Sequence, residues 1–245
     1  MKPYGSHIMI DFEQYLSAIP QLHTWDEGAT WTAGGFNKGM LKALIAFLRD
    51  NLPPAPAILE TGAGNTTISF LFLKPSRLVS IAPDPGLFER IRAYCESNAI
   101  LTDALEMKVD GSEWVLPQMT KRNAVPQFDL VLIDGSHNWP MVFLDFFFAN
   151  YMLKPGGYLV LTALQLHPIK ELARLLAEQP GFKVALKLKS ALMFQRAAEA
   201  RELPKWTHCP YLVRMSAEYA KKKTPAALSW DASSEEALVS TPPSE

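Results

Sequence analysis

Between Ala57 and Leu161 short apolar runs alternate with helical segments, and two further strand-like runs are then separated only by Lys189 and Ser190. The apolar runs predict strands near 57–60, 77–81, 105–109, 128–133 and 156–161. Helices are expected near 65–73, 85–98, 112–119 and 139–152, with another at about 168–179. Alternation of this kind means parallel strands joined by crossover helices. Phe182–Leu188 and Ala191–Arg196 break the rhythm, because two residues are too few for a crossover. They must pair antiparallel as a hairpin. The expected fold class is therefore α/β: a doubly wound, mostly parallel seven-stranded sheet with an antiparallel terminal hairpin.

The flanks divide the chain. Residues 1–54 read as a helical lead-in and potential lid. Phe12, Tyr15, Leu16 and Ile19 share one helical face that Pro20 ends, and Asn37 is placed to cap a helix carrying Met40, Leu41, Leu44, Ile45 and Leu48. Pro53, Pro54 and Pro56 make a stiff hinge. Residues 55–200 form the main domain. Residues 201–245 read as an extension, disordered in part, with a Ser/Pro/Glu-rich end from Ala232 to Glu245.

Composition excludes several classes of partner. With a net charge of -1 the chain lacks the basic surface of a general nucleic-acid binder, and Lys221-Lys222-Lys223 reads as a solvated face. The richest apolar run, Met141 to Leu153, is too short for a membrane span and contains Asp145 and Asn150. The N-terminus lacks the apolar core of a signal peptide. Two cysteines, Cys95 and Cys209, give neither a metal-ligand spacing nor a disulfide framework. A reducing, cytoplasmic setting is the expectation. Self-association stays open.

The chemistry concentrates in Ile58-Leu59-Glu60-Thr61-Gly62-Ala63-Gly64-Asn65-Thr66-Thr67. An apolar strand ends on a carboxylate, two glycines turn the chain, and polar residues start a helix. Glycine lets a ligand approach the backbone closely. A phosphate cradle would not place a negative charge there. A ligand bearing an ammonium and a sulfonium would suit it, which points to S-adenosylmethionine (SAM).

Together with Phe128-Asp129-Leu130-Val131-Leu132-Ile133-Asp134-Gly135 and Leu153-Lys154-Pro155-Gly156-Gly157, this turn resembles a class I SAM-dependent methyltransferase, with the Rossmann-like fold. The resemblance spans residues 57–196, and the hairpin adds the seventh strand of such enzymes. Asp134-Gly135-Ser136-His137, the aromatic helix after it and Lys-Pro-Gly-Gly resemble the macrocin O-methyltransferase-like group, whose substrate is a small-molecule hydroxyl, often with a divalent metal. The resemblance implies that Glu60, Gly62 and Gly64 face the methionine part of the cofactor, and that Asn65, Thr66 and Ala82 are also cofactor-binding positions. It implies that Asp110, Gly111 and Ser112 lie by the adenine, and that Asp134 sits near the transferred methyl. Such enzymes place an acid for the ribose where Ala82 stands here, so Asp84, two residues later, becomes the candidate. Metal-dependent relatives carry paired acids where this chain has Thr162-Ala163. Asp134 with a Thr162 hydroxyl is a poor magnesium site, and no tightly bound metal is expected.

Each singled-out residue has a plainer reading. Glu60 is either a ligand contact or a strand-end acid that satisfies neighbouring polar groups. His137 is either a general base, since imidazole ionises close to neutrality, or a cap for the next helix. Asp134 is a site carboxylate or a turn former before Gly135. Gly156-Gly157 is expected to make the turn into the fifth strand. Phe143, Phe146, Phe147 and Phe148 fit core packing better than an aromatic ligand pocket, and Asp145 among them needs a partner if buried. Trp25 and Trp31 belong to a lid or fill a groove. His167 is a substitute metal ligand or a loop residue. His208 and Cys209 have no companion motif. The expected activity is methyl transfer to a small-molecule hydroxyl, with Asp134 and His137 as catalytic pair. A non-catalytic cofactor-binding scaffold is the alternative. A nicotinamide-dependent oxidoreductase is disfavoured because the last glycine of its fingerprint is replaced by Thr67.

Overall fold

The computed structural model describes residues 10–23, 36–122, 127–197 and 208–221. The chain forms two compact units, Met1–Leu203 and Pro204–Glu245. In the first, β1 (Ala57–Thr61), β2 (Arg77–Ala82), β3 (Leu105–Val109), β4 (Phe128–Ile133), β5 (Leu153–Leu161), β6 (Phe182–Lys187) and β7 (Leu192–Arg196) make one sheet in the order β3-β2-β1-β4-β5-β7-β6. Strands β1 to β5 pair in parallel, while β7 runs antiparallel to both β5 and β6.

Helices cover both faces, as the period-2 alternation of buried strands requires. Ile58, Leu78, Leu130 and Leu132 point to the side of α1 (Phe12–Ser17), α2 (Lys38–Asn51), α3 (Asn65–Leu71) and α4 (Pro85–Ser97). Leu59, Val79, Val131 and Ile133 point to the side of α5 (Ser112–Arg122), α6 (Met141–Met152) and α7 (His167–Ala177). Asn37 caps α2 by accepting from the Met40 N–H at 3.0 Å, and Met40, Leu41, Leu44, Ile45 and Leu48 are all buried. Helix α1 ends at Ser17, with Phe12, Tyr15 and Leu16 inside. Phe146 is buried, Phe143 and Phe148 pack against the core, and Phe147 is 43% exposed. From the end of β7, beside β5, the buried Arg196 guanidinium donates to the Asn150 and Leu153 carbonyls, both at 2.6 Å, closing the junction of α6 with β5.

Two differences from the sequence reading have local causes. Strand β5 begins at Leu153, so Gly156 and Gly157 lie inside it rather than in a turn before it. Phe128 pairs with Leu153, and the register then shifts before Leu130 pairs with Tyr158. Gly156 takes φ +79° at this irregularity, and a Cβ on Gly157 would stand 2.9 Å from the Asp129 carbonyl oxygen. The glycines thus allow a bulge within the strand. The second difference is α8 (Pro210–Ala220) in the second unit, which starts just after a buried Cys209, with proline in its first turn. Trp25, Trp31, Lys222, Lys223 and residues 232–245 lie outside the described residues.

Candidate active site

Both β2 and β4 run parallel to β1, so the sheet changes its winding direction at β1 and opens a crevice at the carboxyl ends of these strands. A cavity of about 820 Å³ lies there. Its walls come from four strand ends: Gly62 and Ala63 after β1, Ile81 to Asp84 at β2, Asp110 to Trp114 after β3, and Asp134 to His137 after β4. A second cavity of about 260 Å³ adjoins it, lined by Ile19, Phe36 and Lys38 together with Gly64, Asn65 and Thr66. His23, Ala63 and Asp134 border both.

The turn after β1 is held from two directions. The Gly62 N–H donates to the Ile81 carbonyl at 2.8 Å, and the Asp134 N–H donates to the Thr61 carbonyl at 2.9 Å. Gly62 has φ +85°, and a Cβ there would meet the Asp134 carbonyl oxygen at 2.3 Å, so the position admits only glycine without rearrangement. The hydroxyls of Thr66, Thr67 and Ser80 all donate to Glu60, and Thr67 Oγ1 also accepts from the Gly64 N–H at 2.9 Å. Glu60 has no exposed surface and lines neither cavity. Its carboxylate ties the turn to the first turn of α3 and to β2, with hydroxyls as the donors. Burial pushes its pKa up to about 7; the three hydroxyls oppose the shift and the charge of Asp134 adds to it.

The other expected residues fall as follows. Gly64 and Thr66 line the smaller cavity. Asn65 does too, but its side chain is engaged: its Oδ1 accepts from the Tyr15 hydroxyl at 2.8 Å and its Nδ2 donates to the Pro20 carbonyl at 3.1 Å. Ala82, Asp84, Asp110, Gly111 and Ser112 line the larger cavity. Asp84 is also committed to structure, accepting from the Gly86 N–H at 2.8 Å as the cap of α4 and pairing with Arg90 at 3.0 Å. Asp134 Oδ1 accepts from the Thr162 hydroxyl and lies 3.5 Å from His137 Nε2, which is itself 3.2 Å from Thr162 Oγ1. His167, at the start of α7, is 81% exposed and stands 3.9 Å from Glu171.

Two groups escaped the sequence reading. His23 has no motif and reaches the site only through tertiary folding. Trp114, 63% exposed in the first turn of α5, could have been noticed as an aromatic just past a predicted strand end. Asp145 is fully buried on α6, and among the described residues neither its carboxyl oxygens nor the nearby Thr61 hydroxyl has a partner of hydrogen-bond geometry. Burial pushes Asp145 up to about 6, while the Ser112 and Thr61 hydroxyls stand close enough to oppose the shift. Among the described residues no three His, Cys, Asp or Glu side chains gather as metal ligands.

Residues 59–162 match the family model described as a methyltransferase domain. The fold is that of the class I methyltransferases. Similar solved structures include the O-methyltransferase TomG from Streptomyces achromogenes, involved in tomaymycin synthesis and in complex with SAM. It is 20% identical, with a TM-score of 0.59 over 78% of this chain and 93% of that one. The O-methyltransferase from Bacillus cereus in complex with SAH (S-adenosylhomocysteine) is 18% identical, with a TM-score of 0.57 over 75% and 96%. A putative caffeoyl-CoA O-methyltransferase from Staphylococcus aureus is 12% identical, with a TM-score of 0.56 over 76% and 96%. At these identities the likeness carries the fold. No curated protein sequence matches this chain.

Proposed function

We propose that the protein binds SAM in the larger crevice and transfers its methyl group to a hydroxyl of a small molecule, without a tightly bound metal. The observation that carries this reading is the crevice itself: it lies at the switch point, has room for a nucleoside-sized ligand, and gathers Gly62, Asp84, Asp110 and Asp134 at four strand ends. When bound, SAM supplies a methyl group on a positively charged sulfur. Gly62 and Ala63 would face its methionine part, Asp84 its ribose and Asp110 to Ser112 its adenine. Asp134, on the border of both cavities, would face the positive end. Several known structures of this fold are described as O-methyltransferases, and two of them as complexes with SAM or SAH, which supports an oxygen acceptor.

Alignment of the reactants is the main task of such a site and can lower the barrier by roughly 7–11 kcal/mol at best. Removal of the acceptor proton adds about 10²–10⁴ in rate. The hydrogen-bond pattern assigns a tautomer to His137. Thr162 gives its hydroxyl proton to Asp134, so Thr162 Oγ1 accepts from His137 Nε2–H. That leaves Nδ1 as the basic nitrogen for the acceptor hydroxyl, with Asp134 and Thr162 orienting the ring.

Calorimetry with SAH tests the reading: wild-type protein binds it with one site per chain, and a crevice that takes up none overturns the proposal. A second reading, a cofactor-binding scaffold without turnover, is favoured by one observation. Ala82 brings no carboxylate to the ribose position, and Asp84 is already held by Arg90 and the cap of α4. SAH binding with no methyl transfer to any of a panel of phenolic, catecholic and sugar hydroxyls supports the scaffold.

A further inference from the structure

The stretch of residues 10–23 is fastened to the crevice at three points. The Tyr15 hydroxyl reaches Asn65 Oδ1 at 2.8 Å and the Asn65 carbonyl at 3.0 Å. Asn65 Nδ2 donates back to the Pro20 carbonyl at 3.1 Å. Arg90 Nε donates to the Leu22 carbonyl, and the same guanidinium pairs with Asp84 on the crevice wall. These bonds deliver His23 to the border of both cavities, where a Cβ on Gly64 would lie 2.9 Å from its Nε2.

We propose that His23 is a ligand contact of the donor site, and that it discriminates on charge: its imidazole admits a cationic sulfonium ligand while neutral and disfavours it when protonated. This deepens the reading of the crevice as a SAM site and rests on it. Burial holds the His23 pKa below the ordinary value; Asp134 pulls it up, Arg90 pushes it down and Asp84 pulls it up. The imidazole is therefore neutral at physiological pH. The charged and titratable groups that act on it or share the two cavities with it are Asp134 on the far wall, Asp84 and Arg90 at α4, Lys38 at the start of α2, Asp110 and Glu113 after β3, and His137 after β4. Glu60 lies behind the turn and titrates near neutrality, so it also weakens a cation as the pH falls.

The pair SAM and SAH isolates the charge, since SAH lacks the sulfonium. Calorimetry of both ligands at pH 7.5 and 5.5 is compared for wild type, His23→Gln and His23→Lys. In wild type, SAM weakens more than SAH on acidification, and by more than it does in His23→Gln. His23→Gln keeps the change due to Glu60 and loses the part due to the imidazole. His23→Lys, with a permanent charge, disfavours SAM against SAH by about tenfold already at pH 7.5, the effect of two like charges a few ångströms apart in the interior. SAH binding by each variant shows that its site is folded. The inference is overturned if wild type and His23→Gln share one pH dependence, or if His23→Lys keeps the wild-type ratio; either result leaves the crevice a SAM site. Wild-type protein that binds neither ligand overturns the SAM reading and this inference with it.

Discussion

A methyl group added at Gly62 would place a Cβ 2.3 Å from the Asp134 carbonyl oxygen, on a backbone at φ +85°. Both the clash and the left-handed conformation oppose it, so Gly62→Ala should lower the unfolding free energy by about 2–4 kcal/mol in urea melts. Unchanged stability would mean that the β1 and β4 turns can separate freely. The same scale decides what Glu60 does. Two of its three donors, Thr67 and Ser80, share Oε1, and Thr66 alone holds Oε2. A glutamine can keep Oε1 as a double acceptor and donate its amide to a rotated Thr66 hydroxyl. Glu60→Gln should therefore be at least as stable as wild type at pH 8, where the wild-type carboxylate is charged at a cost, whereas Glu60→Ala, which leaves three buried hydroxyls without an acceptor, should lose about 3 kcal/mol against Glu60→Gln. Equal losses for the two would refute the network. The sequence showed that an acid precedes the glycine turn. It could not show that Thr66, Thr67 and Ser80 would close over that acid, because Ser80 arrives from another strand.

At the level of elements, the period-2 and period-3.6 patterns were sufficient for the seven strands and for the helices between them. The hairpin followed from a two-residue connection alone. What local pattern could not supply was placement. Helix α1 reads as one more amphipathic helix, yet Tyr15 carries its hydroxyl 50 positions along the chain to Asn65 at the start of α3. Tyr15→Phe removes that donor while keeping the ring stacked near Phe12 and Phe72. The loss should be about 1–2 kcal/mol, and it should be coupled to the crevice through the Asn65–Pro20 bond. A double-mutant cycle of Tyr15→Phe with Asn65→Ala should show a coupling of about 1 kcal/mol, and strict additivity would detach α1 from the site. Glycine pairs are ambiguous for a similar reason. A turn before a strand and a bulge inside it use the same residues, and only the pairing of Phe128 with Leu153 separates them.

For the molecule as a whole, two buried acids set how stability depends on pH. The folded chain holds Glu60 near 7 and Asp145 near 6, both raised by burial above their ordinary values of 4.5 and 3.8. Across the interval from those lower values up to about 7 the folded state binds more protons than the unfolded state. Stability must then fall as the pH rises through that window, and the full penalty stands at pH 8. At 1.36 kcal/mol per unit the two sites together amount to several kcal/mol, to order of magnitude. His23 acts with the opposite sign. Its folded pKa is depressed, so below its ordinary value the unfolded chain takes up the extra proton and stability rises with pH there. Glu60 extends to higher pH than this histidine and should dominate above about pH 6.5. Urea unfolding of the ligand-free protein should lose at least about 2 kcal/mol between pH 5.5 and 8, and the double variant Glu60→Gln, Asp145→Asn should lose less than half as much. A wild-type profile that is flat or rises over this range would mean that neither carboxyl is charged at a cost inside the folded protein. Saturation with SAM should reduce the loss, because a cation in the crevice favours the ionised Glu60, whereas SAH should reduce it less.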